Sequence, residues 1–218
     1  MVHFLHKYRS ELLMCALIAQ ILASPLADSN PHIGGILAAM VLLLILAGST
    51  YAANRKPLRI VLIFLTALWV LARALETFES SHPLYAHIAP VTGFLLSCAI
   101  LWTIIDRFNS MPNITTNVIS EAFISYLVVA IAFSQIYMIL NRLLDHPFTV
   151  AIPPSKLSTL LYFSMVTLTN LGSNSIAPVN PYLCLVTAIG SMIGIFYVAV
   201  VVARLVSSYR SRPSKAGY

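Results

Sequence analysis

The chain has 218 residues, 59% hydrophobic and 9% charged, and a mean hydropathy of +0.86. Soluble domains carry about 25% charged residues, so this composition excludes a water-facing globular surface and leaves an integral membrane protein. The net charge of +6 reads as a topology signal, because the basic tail "YRSRPSKAGY" is too short to argue for nucleic acid, although it could touch anionic lipid.

The first apolar run covers 11–27 and follows Lys7 and Arg9. It has the outline of a signal peptide, but Pro25 stands where a small residue is wanted for cleavage after Ala27, so it reads as a first transmembrane helix. Further apolar runs cover 33–53, 58–75, 84–105, 118–141 and 180–206. Most reach the roughly 17–25 residues that cross a bilayer as a helix. The segment 155–169, "SKLSTLLYFSMVTLT", is too short to span and fits a re-entrant half-helix. Pro or Gly marks the joins, as in "NRKP", "ESSHP", "NSMPN" and "DHPF". With both termini in the cytoplasm, Lys7, Arg9, Arg55, Lys56, Arg59, Arg107, Arg204, Arg210, Arg212 and Lys215 fall inside. Only Arg73, Arg142 and Lys156 fall outside, which satisfies the positive-inside rule. Asn113 heads a glycosylation sequon that this topology puts on the inner side.

Catalytic and metal chemistry find little to work with. Cys15, Cys98 and Cys184 are isolated in apolar runs, and the six histidines lie at segment ends or in loops. Ser173 beside Gly172 suggests a test for an intramembrane serine hydrolase. Such an enzyme needs a base within reach, and no transmembrane segment carries His or Lys in its interior, the histidines lying at segment ends and Lys156 at the boundary, so the chain is expected not to be an enzyme. A voltage sensor needs several Arg or Lys at three-residue spacing within a span. The fourth segment has only Arg107, at its inner end, and Arg73 sits one turn before Glu76, where a local ion pair is expected.

The stretch 162–182, "YFSMVTLTNLGSNSIAPVNPY", carries the chemistry. A half-helix ending near Thr169 directs its negative dipole end at the membrane centre and favours a cation. The residues after it present carbonyls, and Pro178 and Pro181 fix the exit and start the last helix. One such loop cannot surround an ion, whereas four around an axis can.

Residues 155–207 resemble the pore module of bacterial potassium channels of the two-transmembrane type. That family's run is T-T-x-G-Y-G-D-x-x-P-x-S/N-P, and this chain has "TNLGSNSIAPVNP". The resemblance assigns an ion filter to Thr169, Asn170, Leu171, Gly172, Ser173, Asn174 and Ser175. Asn170 replaces the second Thr, Ser173 the Tyr, Asn174 the second Gly, and Ser175 the Asp at the outer mouth. Val166 stands where some relatives carry a buried Glu, and Gly194 falls where the family often has a hinge glycine. An inner pore and gate are expected among Gly190, Ile193, Gly194, Tyr197, Val198 and Val201. Six crossings with the loop between the last two also look like the voltage-gated channel plan.

The resulting expectation is an all-α membrane protein of six transmembrane helices with a re-entrant pore helix and filter loop between the fifth and sixth. Residues 1–110 form a four-helix domain, 111–207 the pore domain and 208–218 a short basic tail. Four copies form a homotetramer among membrane lipids in the plasma membrane, with the bacterial inner membrane as its setting. The chain carries no cofactor, no soluble ligand domain and no nucleic-acid partner. Its permeant ions are monovalent cations, K⁺ or Na⁺, poorly discriminated. A non-conducting regulatory subunit, or a pore for another ion or small solute, are the alternatives.

Overall fold

The computed structural model describes residues 9–29, 56–78, 83–110, 116–153, 156–173 and 175–210. They form helices α1 (Arg9–Ser29), α2 (Lys56–Phe78), α3 (Pro83–Ser110), α4 (Thr116–Leu143), α5 (Leu157–Leu168) and α6 (Pro181–Arg210). The apolar run at 33–53 lies outside the described residues. Within α3, α4 and α6, the segments His87–Asp106, Ser120–Leu143 and Pro181–Ala203 are long and apolar enough to cross a membrane. Among the described residues the regular structure is all helical, and the three apolar helices suggest a membrane protein.

Helix ends follow local chemistry more than the limits of the apolar runs. α3 continues to Ser110 and α6 to Arg210, past the apolar limits at 105 and 206, because the next breakers are Pro112 and Pro213. α6 begins on Asn180-Pro181. The Asn180 side-chain oxygen accepts the Tyr182 N–H at 3.0 Å, and proline suits the first helical position, where an N–H has no helical partner. Pro25 lies inside α1 and cannot donate to the Ile21 carbonyl. The Ser24 hydroxyl donates to that carbonyl instead, at 2.8 Å, which is how membrane helices tolerate proline.

α2 packs on α3, and α3 on α4. α1 packs on α4 and α5, across the boundary expected at residue 110, and α6 packs on α4 and α5. Small residues set the closest approaches, as expected where lipid supplies no hydrophobic drive between helices. A methyl group at Gly93 would sit 2.8 Å from Trp69 Nε1 and 3.1 Å from the Gln135 side chain, so α2, α3 and α4 meet there. The Arg73 guanidinium lies 5.9 Å from the Trp69 ring centre; the side chain of Glu76, its expected ion-pair partner, lies outside the described residues.

α5 is wedged into this frame. Its 12 residues extend about 18 Å at 1.5 Å per residue, well short of a hydrocarbon core of about 30 Å. Leu160, Phe163 and Leu168 are buried with Phe133, Tyr137 and Phe148. Phe163 meets the Tyr137 ring at 5.0 Å and the Phe148 ring at 5.3 Å, both edge-on. Ser164 Oγ donates to the Ala130 carbonyl at 2.6 Å, tying α5 to α4. Beyond α5, Phe148 and Pro178 form an antiparallel bridge. Thr149 N–H donates to the Ala177 carbonyl at 2.9 Å, and Val179 N–H to the Pro147 carbonyl at 2.8 Å. This anchors the exit of the loop to the segment after α4.

Candidate functional site

α5 ends at Leu168, with Thr169 still in right-handed geometry (φ −82°, ψ −5°). Asn170 then takes φ 56°, and Gly172 φ +73°. Asn170 N–H donates to the Thr167 carbonyl at 3.1 Å and Leu171 N–H to the Val166 carbonyl at 3.0 Å. These two bonds, around a left-handed residue, are the Schellman helix ending. A left-handed conformation costs most L-residues about 1–2 kcal/mol, and Asn adopts it more readily than most. Gly172 N–H also turns back to the Val166 carbonyl, at 3.4 Å.

This pattern fixes the carbonyls. In a planar trans peptide the C=O points opposite to the N–H of the next residue. The N–H groups of Asn170, Leu171 and Gly172 all point back into the last turn of α5, so the carbonyls of Thr169, Asn170 and Leu171 point away from it. The negative end of the α5 dipole lies behind them.

The polar side chains of the loop are engaged locally. Thr169 Oγ1 donates to the Met165 carbonyl at 2.8 Å. The Asn170 amide reaches the Ser191 carbonyl on α6 at 3.4 Å. Ser173 Oγ accepts the Ile176 N–H at 3.2 Å and lies 3.4 Å from Ser175 Oγ. Leu171 is 79% exposed, and Thr169, Asn170, Gly172 and Ser175 are exposed as well. Asn174 lies outside the described residues. Asn170 and Ser173 thus brace the loop, and the outward polarity of residues 169–171 comes from the backbone.

The six α6 residues expected at an inner pore divide into two sets. Gly190, Gly194 and Tyr197 turn into the chain. A methyl group at Gly194 would sit 1.9 Å from the Leu168 carbonyl oxygen, and one at Gly190 would sit 3.1 Å from the Phe133 ring. The Tyr197 hydroxyl donates to the Ala122 carbonyl on α4 and touches Ser125 Oγ, while its ring meets Tyr126 at 5.2 Å. Ile193 and Val198 are exposed, and Val201 is half-buried. Only 11% of Pro181–Ala203 is buried within the chain, against 67% of Ser120–Leu143. The least covered long helix therefore adjoins the exposed loop.

Sequence reasoning missed two acidic groups. Glu121 is 2% exposed in α4, one turn before Ser125; a carboxyl inside an apolar helix is itself a signal. Asp28, at the end of α1, accepts the Leu157 N–H at 3.2 Å and the Ser158 N–H at 2.9 Å, together with the Ser158 hydroxyl. Its partners stand about 130 residues away, and no local pattern announces them. Comparison with protein-family models, with curated proteins and with solved structures returns no match.

Proposed function

We propose that four copies of this chain assemble around an axis into a membrane pore that passes monovalent cations and discriminates poorly between K⁺ and Na⁺. The observation that carries this reading is the set of outward carbonyls at Thr169, Asn170 and Leu171, beyond the C-terminus of a helix too short to span. Rings of backbone carbonyls are what replace the water shell of a permeant cation. Exposed irregular backbone cannot rest against lipid, so protein or water must cover it. A second copy beside the uncovered face of α6, with water in the axis, meets that requirement. The resemblance of residues 155–207 to potassium-channel pore modules supports the same arrangement.

Weak selectivity follows from the lining. A narrow filter holds several carbonyl layers at one radius, which needs repeated left-handed backbone turns. Asn170 and Gly172 supply two of them. Ser173 lacks the ring that would space the loop from its surroundings, and its hydroxyl is spent on Ile176. The ion keeps part of its water, and the energy difference between K⁺ and Na⁺ shrinks. The excess of basic residues on one side supports a topology with both termini in the cytoplasm, and a plasma membrane is the proposed setting.

The reading is tested by native mass measurement of the lipid-solubilised chain, and by flux of K⁺, Na⁺ and Cl⁻ from loaded vesicles. A tetramer that releases K⁺ and Na⁺ at comparable rates and holds Cl⁻ is expected. A monomer or dimer would remove the axis. A tetramer that passes nothing would make the chain a channel-like structural subunit, and release of Cl⁻ would point to a pore of another kind.

A further inference from the structure

We propose that Asp28 is the positioning residue of the carbonyl-bearing loop. Its carboxylate ties down the N-terminus of α5 and, through α5, sets where residues 169–172 sit. The functional consequence rests on the pore reading above; the positioning role does not.

The first N–H groups of a helix have no partner within it. At α5 the residue in the capping position, Lys156, makes no side-chain cap. Asp28 supplies the cap from a different helix, with one carboxylate oxygen on Leu157 N–H and the other on Ser158 N–H and Ser158 Oγ. A carboxylate here also answers the positive end of the helix dipole. The two helices share more than this contact. Leu13 and Leu17 of α1 lie in one buried cluster with Leu161 of α5.

The other end of α5 is equally constrained. Its last turn is closed by the Schellman bonds, and its Leu168 carbonyl is seated against Gly194. Ser191 Oγ donates to the Thr167 carbonyl at 3.3 Å. A short helix held at both ends transmits a displacement of its first turn to the loop at its last. The first helix, which lies outside the stretch resembling a pore module, is thereby part of the support of the filter.

The test is residue-resolved hydrogen exchange on the full chain in lipid nanodiscs, comparing wild type with Asp28→Ala, Asp28→Asn and the double variant Asp28→Ala with Ser158→Ala. Loss of a charged cap is expected to speed exchange at Leu157 and Ser158 about tenfold in Asp28→Ala. Exchange at Asn170, Leu171 and Gly172 should rise in the same variant, with α3 unchanged. Asp28→Asn, which keeps an acceptor and loses the charge, should fall between wild type and Asp28→Ala. It also serves if Asp28→Ala does not fold. Ser158→Ala in the Asp28→Ala background should add little. A rise confined to the first turn of α5, or no rise at all, would overturn the positioning role. In vesicles, Asp28→Ala should shift the K⁺ to Na⁺ flux ratio of a conducting wild type. If wild type passes no ions, the pore reading fails, and the exchange data still decide the role of Asp28.

Discussion

At Gly194 one methyl group separates a helix contact from a collision. The Leu168 carbonyl stands where a side chain would begin, 1.9 Å from the position of a methyl carbon, and the neighbour is backbone that cannot swing aside. Gly194→Ala is expected to cost at least the roughly 1–3 kcal/mol of an overpacked core and to lower the thermal midpoint of the solubilised assembly. Gly190→Ala meets movable rings at 3.1 Å and should cost less. Equal midpoints for wild type and Gly194→Ala would show that the α5–α6 contact is looser than described. The same logic applies to Asn170. At φ 56° a β-branched residue is an outlier, so Asn170→Thr alone should destabilise the loop by about 1–2 kcal/mol, whereas Asn170→Gly should be tolerated. Accelerated exchange at Leu171 and Gly172 in the Thr variant is the readout; faster exchange in the Gly variant would contradict the assignment. Installing together the residues that potassium-channel pore modules carry at the positions matching 170, 173, 174 and 175 therefore requires the loop to re-form, and on the proposed pore reading K⁺ selectivity should appear only with the full set.

α5 and α6 differ in how much of their placement was legible. The position of α6 between "NP" and the basic tail follows from its apolar run and from Asn180-Pro181. Its contact face does not, because a helix apolar on all sides carries no periodicity to orient it. Hence Tyr197, which sequence reading grouped with an inner gate, is found bonded to Ala122 of α4. The end of α5 was legible, since an Asn and a Gly after an apolar helix are stop signals. The start of α5 was not, because its cap comes from α1. Tyr197→Phe removes a hydrogen bond worth about 0.5–1.5 kcal/mol and should loosen that end of α6 against α4, read as increased resting leak in vesicles. An unchanged leak would mean that this contact does not hold the helix. Polar substitution at Ile193 or Val198, which face outward, should raise leak if those positions meet at an apolar gate that closes by dewetting.

For the assembled protein, the balance of charge and the length of the apolar runs gave the membrane setting, while the division of labour along the chain came only from the packing. A boundary at residue 110 separates α1 from α5 in sequence, yet α1 caps α5 and shares its buried cluster. The proposed function is that this frame carries a cation pathway lined by backbone carbonyls at a poorly fixed radius. Selectivity of about a thousandfold needs about 4 kcal/mol, at about 1.4 kcal/mol per factor of ten, more than a partly hydrated ion in such a pathway would draw on. The direct test is the reversal potential of the reconstituted protein with K⁺ on one side of the bilayer and Na⁺ on the other. A reversal potential close to zero, moving little when the two salts are exchanged, is predicted. A reversal potential that follows the K⁺ gradient would contradict the account.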